Sequence, residues 1–397
     1  MRSRELSAAL LALWLCGCAQ VDVVAKPQAT TMQPSDARVA DARMPDAGRP
    51  DTGAHDARVP PLDAEAIPDA GERDAGPTPT PCRYRMPPGA TPAAQPARAL
   101  ASLTHAVCSC DSIASSDRFS TDAAGALHGD VGVNGVMSVE TTSEVGGSLV
   151  VGSGGLHLGD DVELGVGVDL RVAGPLEGTL ATLRVERNAS VGGRIDLTSL
   201  YVAGTLTQTA GAERRITGTS QLGGDVDGEV TVPAPCDCAD ASLFDTAAFV
   251  ADNASSALAL PNADGGVQTP RCASFALPDG EVDDVHITLS EPAAIYVPGD
   301  LHTTGDLAID SASGAEIDLF IAGDVRIDGA LHVGAASGQG PVRIYVGGGG
   351  TIQLSGGGEL HGTLYAPKAE LVLSAPLTLR GALFVRRVAA SAELSVK

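Results

Sequence analysis

Short apolar pairs cut by glycine constrain this chain more than any other feature. Of its 48 glycines, 42 follow residue 100. Between them run pairs such as Leu149/Val151, Leu156/Leu158, Leu170/Val172, Leu183/Val185 and Ile195/Leu197. A second set includes Ile295/Val297, Leu307/Ile309, Val325/Ile327, Ile344/Val346 and Leu383/Val385. Each run alternates with period two and stops at Gly, Asp or Asn, which is the signal of a strand followed by a turn. The triplet Gly-x-Leu/Val recurs at 129–131, 204–206, 299–301, 323–325 and 381–383. Strands this short bury little alone, and stacking coil upon coil is what gives them a continuous core. A parallel β-solenoid is the expectation. A β-sandwich is the alternative, but it wants longer strands and aromatic anchors, and aromatics are 3% of this chain.

The arrays read as 100–232 and 286–397, separated by a Cys-containing helical insertion at 233–285. Asp240 is a candidate N-cap for a helix through Ser242–Val250, and a second helix is expected near Pro96–Val107. Either could cover an end of the solenoid, where strand edges are otherwise unpaired.

Ahead of the arrays the composition changes. Arg2 and Arg4 precede an apolar stretch from Leu6 to Leu15, too short to span about 30 Å of hydrocarbon and read as a signal peptide over 1–17. Leu15-Cys16-Gly17-Cys18 resembles the lipobox of bacterial lipoproteins, and that resemblance implies lipidation at Cys18 and, with Ala19 next, an outer-membrane location. Cys16 at the middle of the box is a less usual but small residue there, and an ordinary secretory signal cut nearby is the alternative. Residues 18–99 hold 14 of the 25 prolines and a loose beat of Asp36, Asp41, Asp46, Asp51 and Asp56. Such a segment has no apolar face to offset the entropy of ordering, so a disordered tether is expected. An r.m.s. reach of about 50 Å would lift a domain off a membrane.

Residues 316–323, 343–348, 362–367 and 381–385 (Glu316-Ile317-Asp318-Leu319-Phe320, Arg343-Ile344-Tyr345-Val346, Gly362-Thr363-Leu364-Tyr365 and Gly381-Ala382-Leu383-Phe384) carry a family likeness. They resemble the C-terminal β-helical domain of uncharacterised bacterial surface lipoproteins and, more loosely, the bactofilin-type polymer-forming solenoid. The resemblance implies an all-β, right-handed parallel β-helix with short capping helices. It assigns no catalytic residue.

Chemistry is sparse in the motifs. No Gly-x-Ser-x-Gly, His-Glu-x-x-His or Lys-bearing phosphate loop occurs, so no catalytic residue, cofactor-binding residue, metal ligand or cofactor is expected. Asp160-Asp161 and Asp283-Asp284 read as turn residues, or as carboxylate pairs for calcium or acid–base work. His128, His157, His302, His332 and His361 each follow a leucine and could form an outward metal-binding or pH-sensing stack, or simply a solvated face. Tyr201, Tyr296, Tyr345 and Tyr365 could stack sugars or pack against neighbouring coils. Six cysteines remain after Cys18: Cys82, Cys108, Cys110, Cys236, Cys238 and Cys272. In an exported chain an even count argues for disulfides, with a thiolate zinc site as the other reading. Pairing the two Cys-x-Cys motifs with each other, and Cys82 with Cys272, meets a geometric difficulty. Several coils at about 4.8 Å each separate the ends of the first array, so one flanking segment must fold back along the stack.

The formal charge of −23 argues against nucleic acid, whose phosphates need a basic surface. The resulting expectation is a lipid-anchored, non-catalytic structural or adhesive protein of the cell envelope, periplasmic or surface-facing. Its expected partners are the membrane, other copies of itself, envelope proteins or glycan. A polysaccharide-binding or polysaccharide-degrading enzyme on the same scaffold is the alternative. The final strand, Glu393–Lys397, is expected to leave an edge open for end-on contact.

Overall fold

The computed structural model describes residues 19–21, 96–240, 242–254, 273–277, 280–289, 292–311, 315–334 and 342–397. The lipobox with Cys18, nearly all of the tether, Cys82 and Cys272 lie outside these residues.

The chain forms a parallel β-solenoid of about twelve coils. Each coil gives one strand to each of three ladders, called faces A, B and C. The coil step varies from 17 residues (Ala189 to Leu206) to 27 (Val325 to Ile352). Side chains alternate in and out, and the inward ones stack as columns. Val131, Leu149, Leu170, Ala189 and Leu206 make one column on face A. Ile113, Met137, Leu156, Leu176 and Ile195 make another on face B. All ten are at most 1% exposed, each contributing roughly 1.5–3 kcal/mol for a full Val- or Leu-sized side chain. That explains how a chain poor in aromatics still builds a core.

Corners are closed by acidic side chains. Asp284 Oδ1 accepts the Asp306 N–H (2.8 Å) and Asp306 Oδ1 accepts the Ala330 N–H (2.7 Å). Asp300 Oδ1 does the same for Asp324 (2.8 Å), and Asp324 Oδ1 for Gly350 (3.0 Å). Each carboxylate satisfies a backbone donor of the next coil, a charge-assisted bond stronger than a neutral one. This is the purpose of the Gly-Asp-Leu and Gly-Asp-Val triplets, and it assigns Asp284 of the Asp283-Asp284 pair to a turn.

The order of coils along the stack is not the order of the chain. Coil 1 is built from Ala273–Ala276, Gly280–Val282 and Val285–Leu289, ahead of the 286 boundary read from sequence. The chain winds inward to coil 6, made by residues 381–390 of the Leu377–Ala390 strand and by Leu394–Val396. Coil 7 is the start of the first array, Val107–Ser115 and Phe119–Thr121. All three ladders cross this seam in parallel: Leu383 with Val107, Val388 with Ile113, Leu394 with Phe119. The first array then winds outward to Ser220–Gly228. The Leu394–Val396 strand is therefore covered by Phe119–Thr121, and the open C-terminal edge expected from sequence does not exist. The seam is held by Leu383 N–H to Ala106 O (2.8 Å) and Asp122 N–H to Val396 O (2.8 Å), among others.

Coil 7 differs inside. Ser109, Ser115 and Thr121 point inward where the adjoining coils carry aliphatics, and all are at most 5% exposed. Each hydroxyl donates to a nearby carbonyl: Ser109 to Ser112, Ser115 to Asp117, Thr121 to Gly129. At coil 1, Ala19–Val21 adds to Val285–Leu289 as the one antiparallel strand among the described pairings.

Candidate functional site

The stretch after Gly228 must travel from the last coil of the first array to coil 1, and its path defines the most elaborate surface of the molecule. Residues 229–235, nearly extended, reach about 23 Å at ~3.3 Å per residue, roughly five coil spacings. That carries the chain back to coil 8. There Asn134 clasps Cys236, its Nδ2 donating to the Cys236 carbonyl (2.9 Å) and its Oδ1 accepting the Cys236 N–H (3.0 Å). Gly132 lies beneath: a Cβ there would stand 2.8 Å from the Pro235 Cβ. One coil further, Cys108 is bonded to Cys236 and Cys110 to Cys238, with Cα–Cα distances of 5.9 and 5.7 Å. The segment folds back along the solenoid, which resolves the geometric difficulty. These four cysteines form disulfides, so the zinc reading does not hold for them.

The strap then covers an aromatic column on the outside of face A. Tyr296, Phe320, Tyr345, Tyr365 and Phe384 are register partners on successive coils. Phe320 stacks on Tyr345 (centroids 4.7 Å) and on Tyr296 (5.5 Å), while Tyr365 meets Phe384 edge-on (5.3 Å). Phe244 and Phe249 lie over this column, 5.7 Å from Tyr345 and 4.8 Å from Phe320. Aromatic pairs in such geometries add about 0.5–1.5 kcal/mol beyond area burial. The Phe244 N–H donates to the Tyr365 hydroxyl (2.9 Å). That pins the chain just before helix α2, Thr246–Asn253, and places its N-cap at Asp245, whose Oδ1 accepts the Ala248 N–H (3.1 Å). The cap is Asp245 rather than Asp240 because the strap is fixed to the column up to Phe244. Helix α2 covers the flank of the stack; helix α1, Pro96–Ala101, brings Ala99 into the same apolar cluster as Cys108 and Cys236.

Tyr296, Tyr345 and Tyr365 are at most 3% exposed, so they offer no sugar-stacking platform. Burial pushes the Tyr296 phenol up to about 12 and the Tyr345 phenol higher still. Beside Tyr345, Asp318 is 2% exposed and bonds Arg343 on the next coil through both carboxylate oxygens, Arg343 Nη2 also meeting Glu316 (2.9 Å). Burial pushes the Asp318 carboxyl up and Arg343 opposes the shift. Burial alone would lower Arg343, but the bond to Asp318 outweighs it and holds the guanidinium charged.

Elsewhere, charges pair in short lines between coils. Glu177 meets Arg194 and His157 (3.1 Å), and Asp328 meets Arg326 (2.9 Å) and His302 (3.2 Å). The five Leu-His sites do not converge. Their spacing of 29 or 30 residues exceeds the coil step, so His302 falls on face B and His332 on face C. Among the described residues no group of three or more His, Cys, Asp or Glu is placed to hold a metal ion. Asp161 sits in a turn with φ of 59°.

One outward line lies open on face C. Glu144, Gly165, Arg184, Tyr201 and Gln221 are register partners. Arg184 lies 5.1 Å from the centroid of the Tyr201 ring. A shallow depression there is lined by Arg184, Glu186, Tyr201 and Gln221. Sequence reading grouped Tyr201 with the other tyrosines; its ladder sets it apart.

The fold and this strapped surface define the class, a β-solenoid with a disulfide-fastened cross-strap. Residues 278–397 match a family described as a domain of unknown function, DUF7305. The match spans most of coil 1 through coil 6 and ends at the seam. No curated protein and no solved structure matches the chain. No helix among the described residues is long and apolar enough to cross a membrane.

Proposed function

We propose that this chain is a non-catalytic structural or adhesive element of the bacterial cell envelope, lipid-anchored through Cys18. The observation that carries the reading is the use of the outward charges. Asp284, Asp300, Asp306 and Asp324 bind backbone donors of the next coil, and Asp318 and Glu177 are matched to arginines of the next coil. Such charges stitch coils; they do not converge on a reacting centre. Ala19–Val21, next to Cys18, pairs with Val285–Leu289 of coil 1, and the chain re-enters the fold through α1 into coil 7, half-way along a stack of roughly 55 Å at ~4.8 Å per coil. An anchor on Cys18 would thus meet the body at the coil 1 end of the stack.

The lipobox-like Leu15–Cys18 supports the anchor. The native chain should begin at an acylated Cys18 by mass spectrometry, and Cys18→Ser should leave it soluble or unprocessed. For the body, purified protein should bind envelope material in co-sedimentation and release no sugar from it. Turnover of an envelope or capsule polysaccharide, lost on substituting Glu163 and Glu186, would overturn the non-catalytic reading. The face C depression favours a glycan-binding variant of the proposal, for which Tyr201→Ala should weaken co-sedimentation.

A further inference from the structure

The outer end of the first array is built differently from every coil beneath it. The face B column Ile113–Met137–Leu156–Leu176–Ile195 continues in register to Arg214. On face A, the column ending at Leu206 continues to Asp225. Its neighbour, Val133–Val151–Val172–Val191, continues to Gln208 and then Asp227. On face C, Leu164–Leu183–Leu200 is followed by Ser220. Four inward columns turn polar at this end, while two others stay aliphatic, Leu197 followed by Ile216 and Val202 by Leu222.

These side chains are bonded to one another. Gln208 is 2% exposed; its Nε2 donates to the carbonyls of Gly193 (3.1 Å) and Glu213 (3.1 Å). Arg214 Nε donates to Gln208 Oε1 (2.8 Å) and Arg214 Nη1 to Asp225 Oδ2 (2.5 Å). A network of this kind satisfies its members only while the end stays wet, because another coil laid on top would desolvate Arg214 and Asp225. The strand itself, Ser220–Gly228, still offers an unpaired edge, and Val226 on it is 50% exposed. Backbone pairing is available at this end, and the polar positions oppose apolar stacking over most of it.

We propose that Gln208, Arg214 and Asp225 form an end plug whose role is to prevent a second copy of this chain from adding to the stack. End-on growth is the hazard inherent in a solenoid with open strand edges. The seam shows how readily such coils join: coils 6 and 7 pair along all three faces with no covalent link between them. The plug makes the outer end refuse what the seam accepts. Contacts of this protein with envelope material then fall to its faces. The inference stands on the fold and does not depend on the anchor.

The test compares the sedimenting mass of the full chain with that of Gln208→Val/Arg214→Ile/Asp225→Leu over a wide concentration range. The plug predicts that the triple variant doubles its mass with concentration while the parent does not. Adding Val226→Lys, a charge on the exposed edge, should return the triple variant to the parent's mass and leave the parent unchanged. If the triple variant does not fold by circular dichroism, Arg214→Ile alone is read the same way. A folded variant with the parent's mass at every concentration overturns the proposal. So does a parent assembly that Val226→Lys alone dissociates, since the end would then be adhesive with its plug in place.

Discussion

The outward column of face A runs the length of the molecule and changes character half-way. Over coils 2 to 6 it reads Tyr296, Phe320, Tyr345, Tyr365, Phe384; from coil 7 outward it reads Cys108, Gly132, Val150, Arg171, Ser190, Thr207. The inward columns on both sides of the seam are the same kind of aliphatic stack. The difference lies in what covers the outside. Where α2 and Phe244 lie over the ladder, the column is aromatic and buried. Where the strap is fastened it is a disulfide, where the strap passes close it is glycine, and beyond that it is largely small or polar. A solenoid face thus takes its residue type from its neighbour above, and the neighbour of one array is supplied by the segment that leaves the other.

The sharpest way to break this comparison is to cut the same column on each side. Phe320→Ala removes a ring that touches Tyr296, Tyr345, Phe244 and Phe249. It should cost about 3–5 kcal/mol, the range for a buried Phe truncated to Ala. Arg171→Ala, on the uncovered side, should stay within about 0.5 kcal/mol. Equilibrium denaturation of the full chain measures both, and equal losses would mean that the strap contributes nothing to the covered half.

Unfastening the strap comes next. Replacing Cys108, Cys110, Cys236 and Cys238 together by Ser should lower stability by about 2–4 kcal/mol, since both bonds span 128 residues and close the same long loop of the unfolded chain. Protein reduced but otherwise intact should show the same loss. Protection of amides in residues 244–253 against hydrogen exchange should fall further than that of Leu170–Val172, which the strap does not cover.

Several of these features can be read in the sequence, and the rest cannot for a definable reason. Period-two pairs ending at Gly-Asp determine inward columns and stapled corners, because both are local. The paired Cys-x-Cys motifs require a fold-back, because the array between them is too long for any other bridge. Nothing local records which coil edges meet, so the joining of coil 6 to coil 7 was invisible, and residues 393–397 looked like an open edge. The regular spacing of the Leu-His sites suggested a single stack; it fails because it does not match a coil step that itself varies. The outer-end plug was legible in principle. Arg214, Asp225 and Asp227 interrupt the apolar rhythm, yet their inward direction emerges only from the register.

A smaller effect sharpens the contrast in corners. The second array makes a turn with almost no loop at Gly381, where φ is 146° and a Cβ would stand 1.9 Å from the Gly362 carbonyl oxygen. Gly381→Ala should cost about 1–3 kcal/mol through backbone strain and displacement of that coil. Gly211, with φ of 81° and open space around it, lies in the outer coil of the first array, and Gly211→Ala should cost less. Thermal unfolding of the two variants side by side reads the difference.

The smallest effect separates the two kinds of corner staple. In the second array the acceptors are carboxylates, as in Asp324 to the Gly350 N–H (3.0 Å). The first array uses carboxylates too, Asp130 for the Ser148 N–H (2.6 Å) and Asp169 for the Asn188 N–H (3.1 Å), but at the next coil an amide does the same work: Asn188 Oδ1 accepts the Thr205 N–H (3.0 Å). An acceptor oxygen at that point is what the geometry requires, and charge is an addition to it. Asp324→Ala leaves a part-buried N–H without its partner and should cost about 1–2 kcal/mol. Asp324→Asn keeps an oxygen in place and should cost about half as much or less, since a charge-assisted bond is replaced by a neutral one. The reciprocal change, Asn188→Asp, sets a second carboxylate beside Asp169 and should destabilise slightly at neutral pH, recovering as salt screens the pair. If Asp324→Asn proves as costly as Asp324→Ala, the carboxylate corners of both arrays are held by charge rather than by acceptor geometry, and the Asn188 corner is held differently from the rest.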